Sequence, residues 1–271
     1  MVNGIKNEYP SITEAELSAK FDNGSGIHRA NYKRAFIEHS WEQQQSDFAW
    51  MLLNNTISIF EGWLEELKDT RFPDMSIKKL QFPFCIQSEV TRLTCNSSSV
   101  LKNSFYAAYL GKRDRCYDKI NELMNCYRVF KEARNCYMHN GLKADCKLIK
   151  AYTDYLPSAN TVALGVSEIP EFIATILNEN IQISLRGVVG FSYIIIKIIV
   201  SLDTELLCSA NAEEEFLSRY QCKHTILRTI KPNPIGARKQ VKQYVRQCNF
   251  PDPHAIDEMI TFLLSHRFIS R

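Results

Sequence analysis

Apolar residues recur at helical spacing along most of this chain. From position 28 to about 68 the pattern predicts one long helix or two nearly continuous ones. Polar Asn54, Ser58 and Glu61 fall on other faces of that helix. Its apolar stripe consists of Phe48, Leu52, Ile59, Trp63 and Leu67, widened one position further on by Leu53, Ile57, Phe60 and Leu64.

The central part of the chain predicts two further helices. Positions 76–94, interrupted by Pro83, predict irregular structure. The three serines at 97–99 are N-cap candidates for a helix over 100–110. A longer helix is predicted over 117–139. Its expected packing residues are Ile120, Leu123, Met124, Tyr127, Phe130, Tyr137 and Met138.

The next part combines a loop with the most apolar run of the chain. Positions 157–165 predict a loop with a short extended piece at 161–164. A hydroxyl and acidic residues at 167–171 indicate a helix start, and one or two helices then run to Leu207. The apolar run within them carries Lys197 and is shorter than the roughly 20 residues that a bilayer requires, so we expect a buried core helix and no membrane association. With no strand-rich block in the sequence, the predicted fold class is all-α.

The charge pattern changes near the C-terminus. Positions 216–251 contain eight Lys or Arg residues and no Asp or Glu. Positions 237–269 predict a helix, a turn and a second helix, so a helix-turn-helix-like piece or a winged-helix or similar small module is one interpretation. The predicted organisation is an N-terminal segment at 1–27, a helical domain at 28–210 and a basic helical region at 211–271.

Composition limits the cellular setting and the cofactors. A chain of 271 residues that is 45% hydrophobic can bury a sizeable core. Its nine cysteines form no CxxC pair, and its first 20 residues lack the apolar core of a signal peptide, so we expect reduced thiols and a cytoplasmic location. Four cysteines recur every ten residues from Cys116 to Cys146, a spacing that matches no zinc site. We therefore expect neither a metal nor a cofactor.

The clearest candidate chemistry lies between Arg134 and His139. An arginine keeps its charge while a histidine titrates near neutral pH, and this pair suits attack on a phosphodiester. Asn140 and Gly141 follow directly and predict the helix end. At about 100° per residue, Asn135 and His139 share a face, whereas Arg134 and His139 diverge by about 140°. Both would face one cleft only near a frayed end or opposite a second copy.

The same spacing occurs at Arg34 and His39. There, apolar Ala35 follows the arginine and helical sequence continues past the histidine. We interpret this copy as a coincidence on a long helix.

The stretch from Arg134 to His139 resembles the Arg-(x)4-His signature of the HEPN superfamily, all-helical domains of which many are metal-independent ribonucleases. The residue after the arginine is typically Asn, Asp or His in that family, and Asn135 fits. Positions 59–64 resemble part of the first long helix of many HEPN domains. The resemblance covers roughly residues 28–207 and implies a HEPN-like helical bundle.

The resemblance implies that this protein cleaves RNA. His139 would remove or relay the proton of the 2′-hydroxyl, Arg134 would neutralise charge on the phosphate, and Asn135 would orient His139 or hold the phosphate. Cleavage would need no metal and would leave a cyclic phosphate end. A homodimer would bring two motifs to one cleft. Many such enzymes are toxins or phage-defence effectors, so an antitoxin or regulatory protein is an expected partner.

Cations elsewhere are candidates for RNA binding. In the C-terminal region Tyr220 or Tyr244 would stack on bases, whereas the alternative is a solvated face packed against acidic helices such as the one at 212–215. The candidate RNA-binding residues are Arg128, Lys131, Lys223, Arg228, Arg238, Lys239, Lys242 and Arg246.

Two other functions remain open. Arg134 and His139 could be a surface arginine and a structural histidine in a non-catalytic HEPN interaction or antitoxin-like module. The C-terminal piece could instead make the chain a nucleic-acid-binding regulator.

Overall fold

The computed structural model describes residue 13 and residues 40–270, and this part of the chain is mostly helical. The all-α fold class is therefore confirmed. The first elements are α1 (Trp41–Thr70), α2 (Ile77–Leu80), α3 (Pro83–Leu93), α4 (Ser99–Leu101), a π-helical turn (Lys102–Tyr106) and α5 (Ala107–Tyr109). A 3-10 turn (Tyr117–Lys119), α6 (Ile120–His139), α7 (Cys146–Tyr155), a second 3-10 turn (Leu156–Ser158) and α8 (Thr161–Leu164) follow. The last elements are α9 (Leu185–Leu206), α10 (Ala210–Lys223), β1 (Arg228–Thr229), α11 (Pro234–Gln247), α12 (Ile256–Ser265) and β2 (Ile269–Ser270).

The buried stripe of α1 follows part of the predicted one. Ser40 caps the helix by accepting a hydrogen bond from the Gln43 amide at 3.1 Å. Phe48 and Ile59, predicted to be core, are 47% and 64% exposed. Leu53, Ile57, Phe60, Leu64 and Leu67 are buried as predicted, and Ala49 and Trp50 are buried in addition. The predicted helical stretch at 28–39, with the Arg34 and His39 copy of the spacing, lies outside the described residues.

The prediction of irregular structure at 76–94 is wrong, because α2 and α3 occupy most of it. Pro83 begins α3 at its first position, where the missing amide hydrogen has no helical partner to lose. Ser98 caps α4 as expected, accepting from the Leu101 amide at 3.2 Å.

A bundle of α1, α6, α7 and α9 contains the larger of two cores. The helix α6 packs against all three of the others, and α1 also packs against α9. Phe60 of α1 meets Tyr127 of α6 edge to face at 5.1 Å, and Phe130 stacks on Phe191 of α9 at 4.4 Å. Aromatic burial of this kind fixes α6 at the centre of the bundle.

The connection between α8 and α9 differs from the prediction in two places. Positions 161–164, predicted to be extended, form one helical turn that ends at Gly165 with φ +61°. The predicted helix start at 167–171 is irregular, and α9 begins only at Leu185 with Ser184 as its cap. Tertiary contacts override the local signal, because Phe172 packs on Phe130 at 5.4 Å.

The helix α9 is long and apolar enough, by length and composition only, to cross a membrane. In the bundle it packs against α1 and α6 and buries one side. Lys197 is buried with it and donates to the Arg113 carbonyl at 3.2 Å. These contacts are those of the predicted core helix.

A second core gathers the C-terminal elements. The predicted helix, turn and helix are present as α11 and α12, and β1 pairs with β2 in parallel. Leu101 and Phe105, from the middle of the chain, also belong to this core. Its other fully buried large residues are Phe216, Tyr220, Val241, Val245, Met259 and Leu263.

Candidate functional site

The motif helix α6 ends at His139, as the sequence predicts. The Asn140 amide donates to the Cys136 carbonyl at 2.9 Å and closes the last turn. Gly141 then takes the left-handed conformation with φ +56°, and Leu142 follows with φ +68°. A glycine at this position ends a helix without a steric cost.

The loop after His139 is held in place by the segment before α9. The Ala144 amide donates to the Glu179 carbonyl, and the Ile181 amide to the Leu142 carbonyl, each at 2.9 Å. Lys143 and Asn180 form an antiparallel bridge between these bonds. The helix end that bears His139 is therefore braced from outside the helix.

Five polar residues of α6 share one face, which we call the polar stripe. At about 100° per residue they fall within an arc of about 80°. Its members are Asn125, Arg128, Glu132, Asn135 and His139.

A buried carboxylate organises the middle of the polar stripe. Glu132 pairs with Arg128 and accepts from the Asn135 side-chain amide at 3.0 Å. Arg134 Nη1 lies 3.5 Å from Asn135 Oδ1, at the long limit of a hydrogen bond. Glu132 was not among the predicted site residues. The available signal was an acid four residues after an arginine and three before an asparagine on one helix face.

Asn135 is oriented by Glu132 and not by His139. Its amide nitrogen is engaged by the carboxylate, so its oxygen faces the Arg134 guanidinium. Within the described part of the chain, no hydrogen bond joins His139 to Arg134 or Asn135. The structure thus brings Arg134 and Asn135 together and leaves His139 one helical turn further along the same face as Asn135.

Arg134 lies partly inside the bundle. Its Nε is buried without a hydrogen-bond partner among the described residues, as is the Tyr127 hydroxyl. Burial, reinforced by the charge of Glu61, raises the pKa of the Tyr127 phenol, while the positive charges of Arg128 and Arg134 oppose that rise. The guanidinium therefore extends from the neighbourhood of Tyr127 to the Asn135 side chain.

His139 is exposed at the end of the stripe. Tyr137 and Met138, predicted to pack in the core, are 38% and 52% exposed, because the last turn of α6 buries Cys136 and turns these two residues outward. Tyr137 nevertheless stacks on Trp50 of α1 at 4.6 Å. The surface beside His139 is thus open and partly aromatic.

The two candidate RNA-binding residues on α6 are already engaged within the protein. The Lys131 side chain is only 13% exposed, and its ammonium donates to Glu61 at 2.8 Å and to Gln81 at 2.7 Å. The Arg128 guanidinium lies over the Phe82 ring at 4.3 Å in addition to pairing with Glu132. Arg128 also lines an open cavity.

The candidate cations of the C-terminal region divide into two groups. Arg238 pairs with Asp257 through two bonds of 2.9 and 2.6 Å, and Arg246 with Asp252 through two of 2.5 and 2.7 Å. Lys242 lies 4.0 Å from Asp252, whose pKa is lowered chiefly by its hydrogen bonds from Arg246. These pairs were not predicted, because Asp252 and Asp257 both follow the stretch at 216–251 that contains no acid.

The second group of cations consists of Lys223, Arg228 and Lys239. Across residues 40–270 none of these three has an ion-pair partner. Of the candidate RNA-binding cations in this region, these three are therefore the ones available to an anionic ligand.

Comparisons with known proteins add nothing to this geometry. No protein-family model matches the chain, and neither does any curated protein or solved structure. Over the described residues, no group of three or more His, Cys, Asp or Glu side chains could hold a metal ion.

Proposed function

We propose that this protein is an endoribonuclease of HEPN type in which His139 and Arg134 act on an RNA phosphodiester. The observation that carries the proposal is the arrangement at the braced end of α6. There, an exposed histidine follows, by one turn on the same face, an asparagine that contacts an arginine. A proton acceptor and a fixed positive charge are what phosphodiester attack requires, and the two lie five residues apart at this helix end.

The chemistry is an internal transfer. The ribose 2′-oxygen attacks the adjacent phosphorus while His139 accepts its proton, and the bond to the 5′-oxygen breaks. That oxygen takes a proton from solvent, which leaves a cyclic 2′,3′-phosphate and a 5′-hydroxyl. Arg134 stabilises the charge on the non-bridging oxygens through its fork of donors. Asn135 and Glu132 position Arg134, a role that differs from orienting His139.

A homodimer is part of the proposal. Arg134 and His139 leave the helix about 140° apart, so the guanidinium of one protomer suits the phosphate beside the histidine of a second. The biological role that we propose is that of a cytoplasmic toxin or phage-defence effector, with an antitoxin or regulatory protein as partner. Light scattering at micromolar protein tests the assembly, and a monomer with full activity would exclude the composite site.

The activity is tested with purified protein and mixed RNA in the presence of EDTA. We expect cleavage that leaves cyclic phosphate ends. His139→Ala and Arg134→Ala should each lower the rate about 100-fold or more, the range of a lost acid–base group. His254→Ala is the matched control, because this histidine is also exposed but lies before α12. His39→Ala should likewise retain activity.

Two results would contradict this mechanism. Activity that disappears with chelator and returns with a divalent ion would exclude metal-independent cleavage. Full activity in His139→Ala would favour the non-catalytic association module instead.

A second candidate function, nucleic-acid-binding regulation, is favoured by the free cations Lys223, Arg228 and Lys239. One feature weighs against a helix-turn-helix mode. In that mode the start of the second helix approaches the bases, but α12 begins with Asp257 and Glu258. Binding of duplex DNA tighter than binding of RNA would support this function.

A further inference from the structure

A cavity of about 360 Å³ opens between the start of α3 and the paired helices α6 and α7. That volume lies in the range of roughly 300–1,000 Å³ that small-molecule sites occupy. Aromatic and basic side chains dominate its wall. The lining residues from the start of α3 are Phe82, Pro83 and Phe84. Those from α6 and α7 are Asn125, Arg128, Lys147, Lys150, Ala151 and Asp154.

The aromatic wall of this cavity is unusually exposed. Phe84 is 81% exposed, and its ring lies 5.5 Å from that of Phe82 at an angle of 45°. Phe82 is covered on one side by the Arg128 guanidinium at 4.3 Å. Phe84 thus presents a free ring face beside the stacked pair of Phe82 and Arg128.

The charge of the cavity is favourable to an anion. Three cations and one carboxylate line it. That carboxylate, Asp154, lies 3.4 Å from Lys150. Such an exposed ion pair contributes little to stability, so Lys150 can leave Asp154 for an anionic ligand. Lys147 has no ion-pair partner across residues 40–270. The start of α3 adds the positive end of a helix dipole, with no acid in its first turn.

The polar stripe connects this cavity with His139. Asn125 and Arg128 both line the cavity and belong to the stripe. Arg128 and His139 are 11 residues apart, a rise of about 16 Å along α6. A few nucleotides of a single strand span that distance.

We propose that this cavity is a base-binding subsite, in which an unpaired base of an RNA strand stacks on Phe84 while Lys147 and Lys150 hold the adjoining phosphates. The proposal rests on the ribonuclease function and specifies its substrate as single-stranded RNA that crosses α6 from the cavity to His139. Stacking on an aromatic ring with cations alongside is the usual mode for single strands, because every base has a flat face.

The test uses the full chain and a short, labelled 2′-O-methyl RNA with no stable secondary structure. This probe lacks the nucleophilic hydroxyl, so fluorescence anisotropy reports binding without cleavage. A second oligomer of the same length contains abasic sites. Phe84→Leu keeps apolar bulk but removes the ring, and Phe84→Trp keeps a ring. Val162→Ala is the control, because Val162 is 78% exposed and does not line the cavity.

We expect Phe84→Leu to bind the base-bearing RNA about 5- to 100-fold more weakly, the range of one lost stack. Its affinity for the abasic oligomer should equal that of the wild type. Phe84→Trp and Val162→Ala should bind both oligomers as the wild type does. Because Phe84 is exposed, these changes leave the fold intact, which circular dichroism checks.

Three results would overturn the subsite. The first is an unchanged affinity of Phe84→Leu for the base-bearing RNA, and the second is an equal loss of affinity for both oligomers. The third is no binding of RNA by the wild type, in which case an apolar peptide would be the occupant. If Phe84→Leu lowers the affinity for RNA but the wild type does not cleave RNA, the proposed nuclease function is wrong and the stacking site stands. If the wild type cleaves RNA and Phe84→Leu binds RNA equally well, only the proposed stacking site is wrong.

Discussion

Glu132 is the residue on which the geometry of the polar stripe depends. Its buried carboxylate engages Arg128 on one side and Asn135 on the other, and Asn135 in turn contacts Arg134. A carboxylate buried at this depth is stable only while it keeps these partners. It therefore controls the direction in which two of the candidate catalytic side chains point.

We predict that Glu132→Gln lowers the cleavage rate about tenfold, because Asn135 loses a charged acceptor and Arg134 loses its support. The loss should appear in kcat more than in KM, since Glu132 is buried and does not bind RNA. Single-turnover kinetics would measure it. Glu122→Gln, on the same helix, is the control, and a pure KM effect in Glu132→Gln would show that the residue does not position Arg134.

The candidate site was predictable from the sequence only in outline. The helix end, Arg134, Asn135 and His139 follow from local signals that a single chain displays. The contact of Asn135 with Glu132 had a local signal as well, because the two residues lie three positions apart on one helix. The engagement of Lys131 by Glu61 had none, because it depends on the packing of α1 against α6. Side chains that pair between two helices are far apart in sequence, so no local sequence pattern predicts them.

Glu89 makes the stability of the fold depend on pH. Its side chain is 1% exposed, bonds to Arg92 at 2.9 Å and accepts from the Ser76 amide at 2.8 Å. These interactions, the Arg92 bonds first, lower the pKa of the carboxyl below its usual 4.5. A lowered folded-state pKa adds stability that is present above pH 4.5 and is lost as the pH falls through the folded-state value.

We therefore predict that the melting temperature falls as the pH drops below about 4.5. Glu89→Gln should be less stable at neutral pH and should lose less stability on acidification. Calorimetry between neutral and acidic pH measures both. Glu65→Gln, at an exposed position of α1, is the control. A parallel pH dependence in Glu89→Gln and the wild type would assign the acid sensitivity to other groups.

At the scale of elements, local signals predicted helix ends better than helix starts. Gly141 and Asn140 placed the end of α6 correctly, because a left-handed glycine is a strictly local requirement. Pro83 was interpreted as a break, although a proline fits the first turn of a helix equally well. Residues 178–181 stay irregular because their backbone bonds go to the loop after α6.

Two glycines allow us to measure how strongly the end of α6 requires a residue in the left-handed conformation. Gly141 has φ +56°, and Gly62 lies within α1. A Cβ at either position meets nothing within 4 Å. Gly141→Ala should lower the melting temperature by about 2–4 °C through backbone strain. Gly62→Ala should raise it by a similar amount, because alanine favours a helix by about 1 kcal/mol.

Thermal denaturation of the two variants provides the comparison, since the substitution is the same and only the backbone conformation differs. Equal effects of the same sign would show that the end of α6 does not require a left-handed residue. Gly141→Asn, which tolerates that conformation, should recover part of the loss.

At the scale of the whole molecule, the described residues form two hydrophobic cores. The larger core surrounds α6 and holds the polar stripe, and the smaller one supports the basic helices. Leu101 and Phe105 connect the two cores along the chain, since they lie in the middle of the sequence and pack with α10 to α12. No local signal predicts such a connection, because it depends on contacts between residues far apart in sequence.

The basic region should bind the RNA backbone mainly through its free cations. Each phosphate contact that a single strand makes contributes a slope of about 0.7 in log affinity against log salt. We predict that Lys239→Ala or Lys223→Ala lowers the slope by about that amount each. Asp257→Asn should raise both affinity and slope, because it releases Arg238 from a pair that is exposed on both sides.

Anisotropy titrations of single-stranded RNA at several salt concentrations distinguish the two groups of cations. If Lys239→Ala and Lys223→Ala leave the slope unchanged, RNA does not contact this face, and its charge serves another contact such as a protein partner. If Asp257→Asn leaves affinity unchanged while the lysine variants weaken it, RNA contacts the free cations without reaching Arg238. Cleavage at saturating RNA should stay constant in all three variants, because the proposed catalytic residues Arg134 and His139 lie on α6, outside the basic region.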